Sequence, residues 1–305
     1  MYKLVTMANQ EKSVELVMTP PDPHFVGDGF RVHNFIPSSY RLDMHRMNPF
    51  IMLDYNSKHY FSPSTKPRGV SVHPHRGFET VTIAYKGKVA HHDSAGGGGV
   101  IGEGDVQWMT AAGGVLHKEY HEAEFSKQGG DFQMVQLWVN LPAKDKMSSP
   151  KYQAIANDRM GKHSIDNKGS FIEVIAGNYK GTPGPASTFT PVNMMNAKLE
   201  LGAVADFSFP AEYNTCLIVI EGSILVNQQD LVPLDHFVLM ANDGTDFSLK
   251  AIEKSTVLVL SGMPIHEPIA AHGPFVMNTR AELVQALTIL MMVNLGILKI
   301  DKIGI

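Results

Sequence analysis

The sequence predicts an all-β protein made of two similar domains, followed by a short C-terminal helix. Three observations support this prediction: most apolar runs are about 6–10 residues long, they are rich in Val, Ile, Thr and aromatic residues, and Gly or Pro bounds them. The chain has 305 residues, which is enough for two domains of ordinary size. Its composition, 44% hydrophobic and 18% charged, excludes a disordered chain.

The first series of short runs ends before a polar segment. The strands predicted in it are "PFIMLDY", "GVSVHPH", "FETVTIAYKG", "KVAHHDS", "GVIGEGDVQWMTA", "GVLHKEYHE" and "DFQMVQLWVNLP". The Gly-rich stretch "AGGGG" is predicted to be a turn rather than a phosphate-binding loop, because no Gly-Lys-Ser/Thr follows it. Two prolines and several polar residues interrupt the series in "NLPAKDKMSSPKYQ". We therefore predict a first domain over residues 1–141 and a second over 142–305.

A second series of short runs follows the boundary. Its predicted strands are "SFIEVIAG", "MNAKLEL", "DFSFP", "TCLIVIEGSILVN", "HFVLMA", "DFSLKAI" and "STVLVLSG". The pieces "TIAYKGKV" and "IVIEGSIL" both have a strand, a glycine and a return strand, around Gly87 and Gly222, which suggests an internal duplication.

The end of the chain changes from strand-like to helical periodicity. Thr279 and Glu282 have the spacing of a capping box, in which the first residue caps the helix and the second reaches back to it. The apolar residues that then recur at helical spacing are Leu283, Ala286, Leu287 and Leu290. We predict a helix here and expect it to pack on the second domain.

Charge and cysteine content exclude several classes of protein. The net charge is −4 with no cluster of Lys and Arg, so direct binding of nucleic acid is not expected. Cys216 is the single cysteine, which excludes a disulfide within the chain and favours a reducing compartment. The N-terminus has no apolar signal segment, and "ALTILMMVNLGIL" is too short for a membrane span. We therefore expect a cytoplasmic protein that does not bind membranes.

Two pairs of metal-ligating residue types recur at a spacing of two. His73 and His75 flank Pro74, and His117 and Glu119 form the second pair. Residues i and i+2 of a strand point to the same face, so each pair can aim its side chains at one point. Three imidazoles and one carboxylate are a ligand set for a transition metal, and Fe, Mn, Ni, Cu and Zn all accept it. The alternative interpretation is that these are ordinary surface histidines.

Other polar residues near these pairs leave alternatives open. Glu79 has three interpretations: a ligand, a partner that orients a histidine, or an exposed strand residue. His91 and His92 are adjacent and face opposite sides of a strand, so they are not expected to bind the same metal. His121 continues the face of His117 and could reach the same pocket.

Four longer segments resemble the pirin family of the cupin superfamily. They are "HPHRGFETVT", "GDVQWMTAAGGVLHKEYHE", "QLWVNLP" and "EPIAAHGPFVMNT", and the resemblance extends over most of the chain. It implies a bicupin, with two cupin-type β-barrels and one mononuclear metal in the N-terminal barrel. The family's ligands match His73, His75, His117 and Glu119, and the metal it implies is iron, as Fe2+. Glu79 stands where many other cupins bind metal, but pirins use the later glutamate.

The second barrel is expected to be metal-free. Counting back from Gly222 by the distances that separate the first motif from Gly87 leads to Ser208, Pro210 and Asn214, none of which is a histidine or a carboxylate. The chain departs from the family at its end, where an apolar tail replaces the acidic, aromatic tail of similar proteins. That departure leaves the packing of the tail and the oligomeric state open.

The resemblance implies a metal-dependent dioxygenase that oxygenates flavonols such as quercetin by 2,3-cleavage, with O2 as the second substrate. Glu119 could take the proton of the bound hydroxy-ketone, and the candidates for an apolar wall are Phe78, Trp108, Met109 and Met134. The alternative is a non-enzymatic, iron-dependent regulator that binds transcription factors or metabolic enzymes. A sugar-isomerase type of cupin is disfavoured, because it would need Lys, Arg and Glu rather than Trp and Met around the metal.

Overall fold

The computed structural model describes residues 11–39 and 41–294, and its regular structure is almost entirely β. The strands before the middle of the chain are β1 (Val14–Met18), β2 (His24–Val26), β3 (Phe30–Ile36), β4 (Phe50–Phe61), β5 (Gly69–His75), β6 (Phe78–Lys86), β7 (Val89–Asp93), β8 (Gly98–Ile101), β9 (Val106–Thr110), β10 (Val115–His121), β11 (Gly130–Asn140) and β12 (Lys151–Ile155). The later strands are β13 (Gly161–Ser164), β14 (Phe171–Ala176), β15 (Asn178–Tyr179), β16 (Thr182–Pro183), β17 (Val192–Leu199), β18 (Val204–Ser208), β19 (Asn214–Glu221), β20 (Ile224–Val226), β21 (Asp230–Val232), β22 (Phe237–Met240), β23 (Asp246–Ala251), β24 (Ser255–Gly262), β25 (Ala270–His272) and β26 (Phe275–Met277). The α-helices are α1 (Met44–Met47), α2 (Ala123–Gln128) and α3 (Arg280–Asn294). The prediction of an all-β protein with a C-terminal helix is confirmed.

The chain forms two compact units, and each unit is built from segments that are distant in the sequence. Of the described residues, the first unit contains 20–39, 41–160, 185–191 and 265–294. The second contains 11–19, Gly161–Gly184 and Val192–Pro264. This division differs from the predicted domains at residues 1–141 and 142–305, because β1 joins the second unit, where it pairs with β22. Strand pairing between distant segments carries no local signal in the sequence.

The first unit has two main antiparallel sheets and the two-stranded sheet β25-β26. Its large sheet has the strand order β12-β9-β6-β11-β4-β3-β2, and its small sheet has the order β5-β10-β7-β8. The central strand β6 is buried on both faces over Phe78–Ala84. The small sheet places β10 between β5 and β7, so the strands of the two predicted ligand pairs are neighbours.

The second unit repeats this plan. Its large sheet has the order β1-β22-β19-β24-β17-β14-β13, and its small sheet has the order β18-β23-β20-β21. In each unit a central strand ends at a glycine with positive φ, Gly87 at 79° and Gly222 at 74°, and the return strand begins two residues later. Glycine adopts this backbone conformation without the steric cost that a Cβ would bring. The shared strand order supports the predicted duplication.

Helix α3 forms as predicted but packs on a different unit. The Thr279 hydroxyl accepts from the backbone N–H of Glu282 at 3.3 Å, and Glu282 Oε2 accepts from the backbone N–H of Thr279 at 2.7 Å, which completes the capping box. The helix buries Leu283 and Ala286 against Phe275 and Met277 in the first unit. The expectation that it packs on the second domain is therefore wrong.

The apolar segment near the C-terminus lies only partly in the described structure. Its part beyond residue 294 lies outside the described residues, so the question of how the tail packs stays open. Within the described residues, none of the helices combines the length and the apolar character needed to cross a membrane.

A buried lysine joins three segments of the first unit. Lys146 is 1% exposed, and its ammonium group donates to the carbonyl of Gly77, to Oδ1 of Asn140 and to the carbonyl of Val276 at 2.7, 2.6 and 3.0 Å. Three donors therefore meet three acceptors, which satisfies the group. These bonds connect the turn after β5 with the ends of β11 and β26.

The side chains on the two faces of β6 lie in different surroundings. Thr82 points into the first barrel, where its hydroxyl donates to Glu119, and Thr80 shares that face. Glu79 lies on the opposite face, 1% exposed, where its Oε1 accepts from Thr110 Oγ1 at 2.7 Å. Burial raises the pKa of Glu79 to about 7, although the hydrogen bond from Thr110 opposes this shift.

We expect Lys146→Met to lower the free energy of unfolding by about 2–4 kcal/mol, because it leaves buried acceptors without donors. Urea denaturation measures the loss. Lys144→Met is the matched control, because Lys144 is exposed and two residues away. Equal stability of the two variants would contradict the role assigned to Lys146.

We expect Glu79→Gln to stabilise the protein at pH 8 but not at pH 4. The folded pKa of Glu79 lies near 7 and above the unfolded value of 4.5, so the folded state holds the proton more tightly. Its contribution to stability is therefore present below pH 4.5 and lost as the pH rises through 7. The amide imitates the protonated acid, so the gain at pH 8 should be roughly 2–3 kcal/mol. A pH series of urea denaturation curves measures it, and parallel curves for both proteins would contradict the shift.

Candidate metal centre

Three histidines converge where β5 meets β10. In the register of these strands His117 lies opposite His73, and Val115 lies opposite His75. The ring centroids are 4.2 Å apart for His73 and His117, 4.6 Å for His75 and His117, and 4.8 Å for His73 and His75. One nitrogen from each ring lies within 4.8 Å of the others. His73 and His75 share a face because they are two residues apart on one strand, and His117 of the neighbouring strand meets them there.

The chemistry of these rings fits a metal. Nδ1 of His75 and Nε2 of His117 are buried and have no hydrogen-bond partner among the described residues. His73 donates from Nδ1 to the carbonyl of Ser71 at 2.8 Å, which leaves its Nε2 lone pair free. Buried polar atoms normally find partners, so lone pairs left without them at one point suit a cation.

Desolvation keeps two of these rings neutral. Burial lowers the pKa of His75 well below its usual range, and His73 adds to this, while a hydrogen bond to the Pro274 carbonyl opposes it. Burial lowers the pKa of His117 in the same way, with further lowering by His75, His73 and His91. A neutral imidazole is the form that binds a metal.

Glu119 lies beside the three histidines, but it does not belong to their group of donor atoms within 4.8 Å of one another. It belongs to a second group of convergent donor atoms with His117 and His91, so His117 is the member common to both. Its carboxylate is held inside the barrel by three hydrogen bonds of 3.3 Å, from Thr82 Oγ1 and Gln107 Nε2 to Oε1 and from Gln136 Nε2 to Oε2. The four predicted ligands are therefore connected through His117.

His91 was considered in the sequence only as a neighbour of His92, and its place beside His117 and Glu119 was not predicted. It is fully buried on β7, directly opposite Glu119, and its Nδ1 lies 3.3 Å from Nδ1 of His117. His92 points to the outside, where its ring stacks on Tyr120. The missed signal was the pair His91 and Asp93, which has the same spacing of two as the ligand pairs.

Two other candidates lie outside the centre. Glu79 is on the far face of β6 and belongs to neither group of donor atoms. His121 is buried among aromatic side chains, stacked on Phe132 at 4.5 Å, and its Nε2 donates to the carbonyl of Gly29. His121 is therefore a hydrogen-bonded core residue and does not reach the metal candidates.

A cavity of about 310 Å³ opens beside the histidines. His73, His75 and Glu119 line one side of it, and the side chains on its other sides are mostly apolar: Val26, Phe30, Val32, Met52, Val70, Met134 and Trp138. Its volume lies in the range of small-molecule pockets. Asp54 and Gln136 add polar groups to the lining.

Of the four residues predicted to form the apolar wall, one lines the cavity. Met134 lines the cavity, and Phe78 lies behind it, stacked on Trp138 with ring centroids 4.2 Å apart. Met109 is part of a separate cluster, and Trp108 pairs with Val81 on the face of the sheet that points away from the cavity. Trp138, which the sequence argument did not select, lines the cavity instead.

The second unit has phenylalanines at the corresponding inward positions. In its small sheet Phe207 lies opposite Phe247, as His73 lies opposite His117, and both rings are buried and stacked 5.1 Å apart. Phe209 and Leu249 complete the two pairs with spacing two and belong to the same core. The expected equivalents Ser208 and Pro210 are thus displaced by one residue, because counting from Gly222 ignores a one-residue difference between the units. Carbon side chains offer a metal no ligand, and the absence of metal here stays a prediction.

Two family models match the chain in the order of its two units. The Pirin model matches residues 29–139, and the Pirin C-terminal cupin domain model matches residues 194–290. The first match contains all four predicted ligands.

Several known proteins are similar over most of their length. A Pseudomonas aeruginosa protein that is provisionally named a quercetin 2,3-dioxygenase is 43% identical over 264 residues, which is 87% of this chain and 91% of that protein. Human Pirin is 34% identical over 266 residues, or 86% of each chain. The crystal structure of quercetin 2,3-dioxygenase from Acinetobacter baumannii has 45% sequence identity and a TM-score of 0.88, with coverage of 94% of this chain and 99% of that one. With both domains matched and relatives at this level of identity, the chain belongs to the pirin family.

Proposed function

We propose that this protein is a metal-dependent dioxygenase that cleaves flavonols such as quercetin at the 2,3-bond. The observation that carries the proposal is the convergence of three histidines beside an apolar cavity of about 310 Å³. The similarity to proteins named quercetin 2,3-dioxygenase, at 43% and 45% identity, supports the reaction class.

His73, His75, His117 and Glu119 are the residues that would hold one metal ion, and Fe2+ is the ion we propose. Neutral imidazole and carboxylate ligands suit iron but also accept Mn, Ni, Cu or Zn. When bound, the metal supplies Lewis acidity and a centre at which a chelating substrate and O2 can react.

The cavity suits a flat aromatic molecule. Trp138 and Met134 offer apolar surface for a ring system, and aromatic side chains bind such rings by stacking. Asp54 lies in the lining as a group that can pair with phenolic hydroxyls. Burial raises the pKa of Asp54, and the hydrogen bond from Asn34 Nδ2 at 2.8 Å opposes this shift. Polar groups placed in this way orient a substrate in an otherwise apolar pocket.

Glu119 is the proposed base for the acidic hydroxyl of the flavonol. Its three hydrogen bonds are long, at 3.3 Å each, so they orient the carboxylate without using all its acceptor capacity. It borders the cavity, within reach of a substrate that occupies it. A carboxylate in this position can accept the proton as the substrate binds.

We expect His117→Ala to lose most of the bound metal, because His117 belongs to both groups of donor atoms. His92→Ala is the matched control, since this histidine is exposed and faces outward. Elemental analysis of the purified variants measures metal per chain. Full metal content in His117→Ala would remove the proposed centre, and more than one metal per chain in the parent protein would contradict a single site.

We expect Glu119→Gln to retain part of the metal but to lower flavonol oxygenation per bound metal by about a hundredfold or more. An amide oxygen can still coordinate weakly, but it cannot accept a proton at neutral pH, and losing a general base costs about 10²–10⁴ in rate. The measurement is oxygen uptake with quercetin, divided by metal content. Glu79→Gln is the control, because this buried glutamate lies outside the centre.

Two outcomes of that experiment separate the alternatives. Oxygen uptake by the parent protein no faster than that of free iron salts would refute the dioxygenase and favour an iron-dependent regulator, whose partner binding follows the oxidation state of the metal. Fast uptake by the parent protein together with an unimpaired Glu119→Gln would keep the enzyme but remove Glu119 as its base.

A further inference from the structure

His91 lies at the centre of a buried polar chain that ends at His117. It is fully buried on β7, where it faces Glu119 on β10, and its ring stacks on Tyr152 at a centroid distance of 5.6 Å and an interplanar angle of 18°. A buried imidazole held in one plane has a defined direction for each ring nitrogen. Those directions determine what His91 can exchange with its neighbours.

Gln107 identifies the acceptor nitrogen of His91. Its Nε2 lies 3.3 Å from Glu119 Oε1 and 2.9 Å from Nδ1 of His91. A carboxylate oxygen can only accept, so the amide must present its NH2 group, rather than its oxygen, to this corner of the site. Nδ1 of His91 is therefore an acceptor without a hydrogen, and the hydrogen of the neutral ring resides on Nε2.

Asp93 favours the same tautomer from the other side of the ring. Its Oδ2 lies 3.6 Å from His91 Nε2, which is longer than a hydrogen bond but close enough for the negative charge to favour a hydrogen on Nε2. The backbone N–H groups of Ala95 and Gly97 both donate to Oδ1 at 2.8 Å and hold the carboxylate in place. A Cβ at Gly97 would lie 2.3 Å from Oδ2, so a side chain at this position would displace the carboxylate.

The position of the hydrogen on His91 determines the tautomer of His117. The Nδ1 atoms of the two rings are 3.3 Å apart, and one of them must donate if they are to attract each other. The one lone pair of His91 Nδ1 is then shared by two donors, Gln107 Nε2 at 2.9 Å and His117 Nδ1 at 3.3 Å, so His117 carries its hydrogen on Nδ1 and keeps the lone pair on Nε2. That Nε2 is buried and has no hydrogen-bond partner among the described residues, and His117 is a member of the histidine cluster.

We infer that Asp93 and His91 are positioning residues that hold His117 in the tautomer with a free Nε2 lone pair, ready to bind the metal. Metal-binding histidines commonly donate their second ring nitrogen to a carboxylate or carbonyl, which fixes the ring and strengthens the ligand. Here a second imidazole, backed by a carboxylate, takes that place. The inference rests on the proposed metal site, but the tautomer can be observed without any metal.

The first test reads the tautomer in the metal-free protein. Two-bond ¹H–¹⁵N correlation spectra of protein labelled with ¹⁵N-histidine distinguish the two neutral tautomers, and the His117 signals are assigned by their loss in His117→Ala. We expect the hydrogen of His117 on Nδ1 in the parent protein. A hydrogen on Nε2 would overturn the inference, even if the protein binds metal well.

The second test compares variants by their affinity for Co2+ in competition with a chelator. We expect His91→Phe, which keeps a buried ring but removes the acceptor, to bind about 10–100-fold more weakly. His91→Asn should restore most of the affinity, because its amide oxygen can accept from His117. His121→Phe is the control for replacing a buried histidine of the same barrel, and it should bind as the parent does.

The same variants distinguish a role of His91 in positioning His117 from a role in packing alone. Parent-like affinity in His91→Phe would overturn the inference, as would equal weakness of His91→Asn and His91→Phe when both are folded. If His91→Phe does not fold, Asp93→Asn takes its place, and we expect a mixture of His117 tautomers in its spectra. A parent protein with the expected tautomer but no affinity for Co2+ would refute the proposed metal centre and leave the tautomer assignment intact.

Discussion

The interior of the first barrel is governed by the cost of burying polar groups. Four histidines, two glutamines and a glutamate lie inside a sheet structure that would otherwise be apolar, and each of their polar atoms must find a partner or lose free energy. The partners form one network: Thr82, Gln107 and Gln136 hold Glu119, and Gln107 also holds His91. Among the buried atoms that stay without a partner in the described residues are His75 Nδ1 and His117 Nε2, and both rings belong to the candidate metal centre.

Strand periodicity explains which parts of this arrangement could be predicted. His73 with His75, and His117 with Glu119, share a face because residues two apart always do in a strand. Which strands are neighbours could not be read from the runs themselves, since β5 and β10 are separated by four other strands in the chain. The place of His91 beside His117 and Glu119 was not predicted because its partners come from three different strands, and Trp138 was missed because its own run is apolar on both faces.

The errors have a common physical origin in long-range pairing. The equivalents of the first ligand pair in the second unit were placed one residue too late, at Ser208 instead of Phe207, because a count along the chain cannot detect a change of register. A one-residue shift exchanges the two faces of a strand completely. The prediction of where α3 packs was wrong for a similar reason. Its apolar residues identify a buried face but do not indicate the unit against which that face packs.

The last strands of the chain reach back to the ligand strand. The segment around Phe275 forms a bridge to Arg76, directly after His75, and the Pro274 carbonyl interacts with the His75 ring. A ribosome releases the His-rich strands long before it has made this segment, so the first barrel cannot be completed in the order of synthesis. Until the segment docks, His75 lacks a contact that orients it. A newly made chain should therefore complete the proposed metal centre only after this C-terminal segment has docked.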